Sequence, residues 1–198
     1  MNLKIVLRLK TDSEQLACLE RLQAAFAEVC TAIGPIVQVT RCWNRVALHH
    51  LAYRKLREQF PALGSQMVCN AIYSVSRSAR LIFQNRASPW SLEKRQDQPL
   101  PLMRFAASAP VYFDRHTLSL RRGGLSMYTL DGRLRFEVGL TAADEQRFRV
   151  EKLKEIQLSR DVQGFFLVFS LGTSDEAIPE VSELPEYLMI LEPAVLAA

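Results

Sequence analysis

None of the four cysteines (Cys18, Cys30, Cys42, Cys69) forms a C-x-x-C pair. That removes the usual spacing for a redox or zinc site and fits a reduced, cytosolic chain with buried thiols. The sequence has no phosphate-cradling glycine loop, no G-x-S-x-G and no H-E-x-x-H, so the common signatures of nucleotide hydrolysis, acyl transfer and zinc proteolysis are missing. His49 and His50 are adjacent and diverge on a helix, so they cannot serve one metal. Asp114-Arg115-His116 lies in a strand region, where neighbouring side chains point to opposite faces. Between residues 41 and 122 the only acids are Glu58, Glu93, Asp97 and Asp114, too scattered for the convergent carboxylates of a two-metal nuclease. No catalytic residue, metal ligand or cofactor is expected. No apolar run approaches the roughly 20 residues of a membrane span, and the opening MNLKIVLRLK has no small-residue cleavage site. No membrane association and a cytoplasmic location are therefore expected.

What is present is an ordinary globular composition over 198 residues, 48% hydrophobic and 23% charged. The net charge of +4 is unevenly distributed. Residues 1–40 are neutral, residues 41–122 hold fourteen Lys/Arg against four acids, and residues 123–198 hold seven against thirteen. Most of the central excess is arginine, whose planar fork suits phosphate, and a basic block of this size is the footprint of a polyanion partner. The alternative is that the acidic third of the same fold neutralises it.

Hydrophobic periodicity then orders the chain. Leu3, Ile5, Leu7 and Leu9 alternate as a strand. Thr11-Asp-Ser-Glu14 matches a capping box opening a helix with Leu16, Leu19, Leu22, Phe26, Val29 and Ile33 on one face, ended by Gly34-Pro35. A connection over 35–43 leads to a second helix capped by Asn44, carrying Leu48, Ala52, Leu56 and Phe60 and stopped by Pro61. A third helix starts near Ser65, with Asn70, Tyr73, Arg77, Arg80 and Gln84 as the stripe opposite its apolar face. Residues 88–101 read as a mobile loop. From about residue 108 the period becomes two: strands at Val111–Phe113, Leu118–Arg121, Leu125–Leu130 and Leu134–Leu140, the last two flanking an Asp131-Gly132 turn, then strands near Glu155–Leu158 and Phe165–Leu171. Phe165–Leu171 is apolar on both faces and should be central. A lone first strand needs a partner, so the helices are expected to be an insertion into a small β-barrel.

Binding chemistry is concentrated in the helices. Arg54 and Arg57 lie three apart on the second helix, Arg77 and Arg80 three apart on the third, with Tyr73 one turn before them. Arginines on a shared face grip consecutive phosphates, and an aromatic between them stacks on a base or a sugar. The competing readings are a solvated face for the arginines and a half-buried helix contact for Tyr73.

The stretch Leu48–Arg80 resembles the helical recognition region of TnpB proteins, the transposon-encoded RNA-guided nucleases ancestral to type V CRISPR effectors. The resemblance is carried by Leu48, His49, Tyr53, Arg57 and Ser65-Gln66. Met103–Leu140 looks like the family's wedge region, through Phe105, Asp114-Arg115, Leu118-Ser119-Leu120, Thr129-Leu130 and Gly132-Arg133. The similarity spans residues 1–171 in order. It implies an α+β fold: a wedge β-barrel of oligonucleotide-binding type with a three-helix recognition bundle inserted after the first strand. The corresponding division is 1–10 for the first wedge strand, 11–107 for the helical recognition domain, 108–172 for the rest of the barrel and 173–198 for an acidic C-terminal tail. In the family a RuvC-like nuclease follows, with an aspartate in its first strand. Here that region reads EYLMILEPAVLAA, with Leu191 about where the aspartate would be, so a nuclease-deficient protein is expected.

By this resemblance the chain is a non-catalytic subunit that holds a guide RNA and contacts target DNA. Gln66 and Asn70 would meet base edges. Arg54, Arg57, Arg77 and Arg80 would hold phosphates, and Arg104, Arg121, Arg122, Arg133 and Arg135 would hold RNA on the barrel. The alternative is a protein-interaction subunit of a ribonucleoprotein, whose apolar Tyr187–Leu191 adds a strand to a separate RuvC-like nuclease chain or to other copies of itself.

Overall fold

The computed structural model describes residues 3–95, 98–121, 123–172 and 183–192. Strand β1 (Leu3–Arg8) is followed by three helices, α1 (Ser13–Thr40), α2 (Arg45–Gln59) and α3 (Ser65–Phe83). Then come β2 (Leu102–Phe105), β3 (Val111–Phe113), β4 (Leu118–Arg121), β5 (Gly124–Thr129) and β6 (Gly132–Glu137). A short helix α4 (Ala142–Val150) precedes β7 (Leu153–Asp161), β8 (Gly164–Leu171) and β9 (Leu188–Leu191). The fold is mixed α and β, and all its strand pairs are antiparallel.

The first strand finds its partner late in the chain. β1 pairs with β8 in the sheet β1-β8-β7-β3, with Ile5 opposite Phe169 and Leu7 opposite Leu167. The three helices are thus inserted between β1 and the remainder of its sheet, and β8, with Phe165, Leu167, Phe169 and Leu171 buried, is an interior strand as its composition suggested. β4-β5-β6 form a second sheet and β2-β9 a two-stranded ribbon. Among the described residues none of the three sheets closes, so the expected barrel is replaced by separate open sheets. The break falls at β3 and β4, which are consecutive in the chain but belong to different sheets.

Several local expectations shift. The capping box of α1 is Asp12 with Gln15, one residue later than Thr11–Glu14: Asp12 Oδ1 accepts from the Gln15 amide at 2.8 Å and Gln15 Oε1 from the Asp12 amide at 3.1 Å. α1 does not stop at Gly34-Pro35 but continues to Thr40, and Arg41 caps it in the left-handed conformation at φ 52°. Pro35 sits on the exposed side, while Ile33, Gly34 and Val37 extend the buried stripe. Their burial outweighs the single hydrogen bond and the steric conflict that a mid-helix proline costs, about 3 kcal/mol. Gly34 is required for another reason: a Cβ there would lie 2.3 Å from the carbonyl oxygen of Met103 in β2. α1 is long and apolar enough to cross a membrane, yet Leu19, Leu22, Phe26, Val29 and Ile33 are wholly buried in the core.

The β5–β6 hairpin turns at Leu130-Asp131, one residue before the expected Asp131-Gly132. Thr129 pairs with Gly132, which alone carries the positive φ of 103°. The 88–101 stretch is not a loose loop where it is described. Ser88, Ser91 and Leu100 are buried, Lys94 Nζ donates to the Ser88 carbonyl at 2.9 Å, and Arg95 pairs with Glu192 at 2.6 Å. β2, inside the segment 11–107, was not foreseen as a strand; it pairs with β9 and packs on α1. Of the acidic segment 173–198, only residues 183–192 are described.

Candidate nucleic-acid interface

α3 is buried on both sides, against α1 and α2 on one and β3 on the other. Its second stripe is therefore only partly open to solvent: Asn70 is buried, Tyr73, Arg77 and Arg80 are half-buried, and Gln84 is exposed. Asn70 is 4% exposed and donates to Thr117 Oγ1 at 3.3 Å. Tyr73 donates its hydroxyl to Glu155 at 2.9 Å, and Arg77 pairs with the same carboxylate at 3.5 Å. Glu155 comes from β7, where it belongs to a buried polar layer with Tyr112 and Gln157. Burial pushes the Tyr112 hydroxyl well above the ordinary tyrosine value, and that of Tyr187 moves in the same direction for the same first cause. These residues tie helix to sheet. Arg80 is half-buried in the last turn of α3.

Gln66, in the first turn of α3, donates its side-chain amide to Asp114 Oδ2 at 2.6 Å. Asp114 opens the turn between β3 and β4, and its Oδ1 accepts from the His116 and Thr117 amides, each at 3.0 Å, and from Thr117 Oγ1 at 2.9 Å. That arrangement is an Asx-type turn, in which Asp114 holds the backbone amide of His116. Arg115 and His116 project from it into solvent. On the far side of the turn, Arg133 of β6 donates to the His116 carbonyl at 3.0 Å.

The register of the β4-β5-β6 sheet explains its outer face. Leu118, Met127 and Leu134 form one cross-strand row and Leu120, Leu125 and Phe136 another, both turned inward. The alternate rows then place Arg121, Arg133 and Arg135 outward together, with Ser119, Ser126 and Tyr128. The Arg133 guanidinium lies 4.3 Å from the centroid of the Tyr128 ring, which is 43% exposed. Glu137 is the acid on this face, and the nearby Asp131 is engaged by Arg21 of α1.

α2 supplies a second cationic surface. Arg54, paired with Glu58 at 3.3 Å, and Lys55 are exposed. Arg57 turns back to donate to the Leu63 carbonyl. His49 stacks on Tyr53 with centroids 4.6 Å apart. Arg45, over the Tyr73 ring at 5.1 Å, lines with His49 and Gln66 a small groove between α2 and α3. Beside it the Cys69 thiol is raised by burial.

The structure thus unites Arg121, Arg133 and Arg135 on one sheet face and leads from there, through the 114–117 turn, to Gln66 and α2. It buries Asn70 and engages the half-buried Tyr73 and Arg77 with Glu155. Arg104 is exposed on β2, apart from this surface, and Arg122 lies outside the described residues. Sequence reasoning missed Arg45, His49, Arg115, His116 and Tyr128. Tyr128 was open to discovery as the cross-strand partner of Arg133, and His49 with Tyr53 through their spacing of four on a helix.

Among the described residues the acids of the last third leave much of this surface unpaired. Among those residues they draw in Arg77 and Arg95 from the central block, whereas Arg45, Lys55, Arg115 and Arg121 have no ion pair. Comparison of the chain with protein-family models and with curated proteins finds no match.

Proposed function

We propose that this chain is a non-catalytic nucleic-acid-binding module, with the wedge-like sheets and helical insert of a TnpB-like or type V CRISPR-like RNA-guided assembly, holding guide RNA and contacting the target DNA duplex or heteroduplex. The observation that carries the reading is the continuity of the cationic surface. Gln66–Asp114 and Arg133–His116 flank a single turn, so the α2–α3 groove and the β4-β5-β6 face form one strip bearing arginines, two exposed aromatic side chains and serine hydroxyls. Arginine and serine position phosphate, and tyrosine and histidine offer stacking surfaces. Gln66 commits one amide N–H to Asp114, which fixes the side chain at the lip of the groove with its remaining donor and acceptor for a base edge.

The test is binding of a labelled structured RNA and of a short RNA–DNA heteroduplex across a salt series. Affinity falling steeply with salt, and lowered on every sequence by Arg133→Glu with Arg135→Glu, is expected. No binding at low salt overturns the reading.

A second reading has its own observation. β9 is the outer strand of a two-stranded ribbon and exposes Met189 (43%) and Leu191 (44%), an edge suited to strand addition by a separate nuclease chain. Co-elution with a RuvC-type chain, lost on Met189→Lys with Leu191→Lys, is its signature.

A further inference from the structure

The inner side of β4 borders a second feature, which shares Ser119 and Arg121 with the strip. Between β4, α4 and the β7–β8 pair lies an open cleft of about 450 Å³, within the usual range for ligand sites. Its floor is apolar: Leu118, Ile156 and Phe169 are buried beneath it, and Phe148 of α4 meets Phe169 edge-on, with ring centroids 5.1 Å apart. Its rim carries three guanidinium groups from three different elements, Arg115 from the 114–117 turn, Arg121 from β4 and Arg149 from α4. Glu145, 3.8 Å from Arg149, is the one acid lining it among the described residues.

We propose that this cleft takes an unpaired nucleotide of a single-stranded RNA segment, its base against Phe148 and its flanking phosphates on Arg115, Arg121 and Arg149. The inference rests on the nucleic-acid reading above and adds to it a site for an unstacked base. Three arguments select the occupant. Three guanidinium groups from three elements suit a phosphodiester strand, which offers a phosphate at every nucleotide, while the apolar floor takes its base. The floor has an aromatic ring half-open to solvent, a surface on which any base stacks whatever its sequence. The cleft is also continuous with the outer sheet face: the cross-strand row Arg135–Ser126–Ser119 ends on β4, and Ser119 and Arg121 line the cleft itself. A strand held by Arg133 and Arg135 reaches the cleft by crossing one β-strand edge.

The experiment is fluorescence anisotropy of the full chain with a fluorescein-labelled ten-nucleotide uridine RNA, the same backbone carrying abasic sites, and an RNA duplex. The uridine RNA is expected to bind about tenfold more tightly than the abasic strand. Phe148→Ala should abolish that difference while duplex affinity and the far-ultraviolet circular dichroism stay unchanged. Arg115→Glu with Arg121→Glu should weaken both single strands. The comparison of base-bearing with abasic RNA on the unmodified chain stands even if a variant misfolds. Equal affinity for the two strands overturns the cleft assignment and leaves the outer strip intact, provided Arg133→Glu with Arg135→Glu still lowers duplex binding. Displacement of a bound anionic dye by decanoate but not by the uridine RNA also overturns it, by assigning the cleft to a small amphiphile.

Discussion

Gln66 and Asp114, forty-eight residues apart, are joined by a 2.6 Å hydrogen bond from the first turn of α3 to the turn that opens β4. The bond fastens the helical insert to the arginine-bearing sheet at the point where the two cationic surfaces meet. Asp114→Ala removes the acceptor for Gln66 and for the His116 and Thr117 amides together. A loss of about 2 kcal/mol in urea unfolding is expected, with a fall in RNA affinity, whereas removal of one anion from a cationic surface would by itself raise it.

Arg133 and Arg135 carry the strip without supporting the core. Reversing both should leave the thermal midpoint within a few degrees and cut the slope of log affinity against log salt by about 1.5, two phosphate contacts at roughly 0.7–0.9 each. Filter binding between 50 and 200 mM salt measures it. Arg77→Glu should behave in the opposite way, because Arg77 faces the buried Glu155: stability falls first, by about 3 kcal/mol for placing two like charges in a partly buried site.

Gly34→Ala drives a methyl group into the Met103 backbone carbonyl. Neither backbone is free to yield, so a cost of about 1–3 kcal/mol is expected, visible as a lowered chemical denaturation midpoint with an unchanged slope.

Asp161 chelates Arg8 through contacts of 2.8 and 2.5 Å, linking β1 to the β7–β8 turn, and the hydrogen bond to Arg8 is the main cause that lowers its carboxyl from 3.8 to about 2. A depressed carboxylate stabilises the folded state above its unfolded value and ceases to do so as pH falls through its folded value. The contribution should be constant above about pH 4 and disappear between pH 4 and about 2. In Asp161→Asn that part of the pH dependence should flatten, as read from urea midpoints at each pH.

The thiols should react in order of access. Burial raises Cys30 to about 12 and Cys69 in the same direction, and Cys18 is buried, whereas Cys42 is half-exposed after the end of α1. Since the thiolate is the nucleophile, Cys42 should be modified first at pH 8, and Cys30 only on unfolding, as followed by mass spectrometry under native and denaturing conditions.

Elements whose signal is local were legible in the amino-acid order. Asn44 caps α2 with both its Val46 and Ala47 bonds, and β1 shows the strict alternation that its pairing with β8 requires. α1 was misjudged because Gly34 and Pro35 carry a stop signal whose meaning is set by β2, nearly seventy residues later: the glycine is there for a close approach, not for a turn. α4 was missed because none of its residues is buried and it has no apolar face to read, although Thr141 and Asp144 carry the spacing of an N-cap. The arginine-rich strands were visible as charge, and the alternation of β6 already set Arg133 and Arg135 on one face, but that Arg121 joins them followed only from the cross-strand register. A half-buried contact for Tyr73 was among the readings that spacing allowed, but its partner was not: Glu155, which engages both Tyr73 and Arg77, lies some eighty positions away.

The pairing of Leu7 with Leu167 also dictates an order of events during synthesis. β1 leaves the ribosome some 160 residues ahead of β8, and through that interval its edge has nothing to pair with. Lys4 and Arg8, alternating along its exposed face, are the kind of charges that keep a waiting strand from annealing to its neighbours on a polysome. The helical insert can consolidate in the meantime, so the sheet that joins β1 to β8 is completed only after the helices it packs beside.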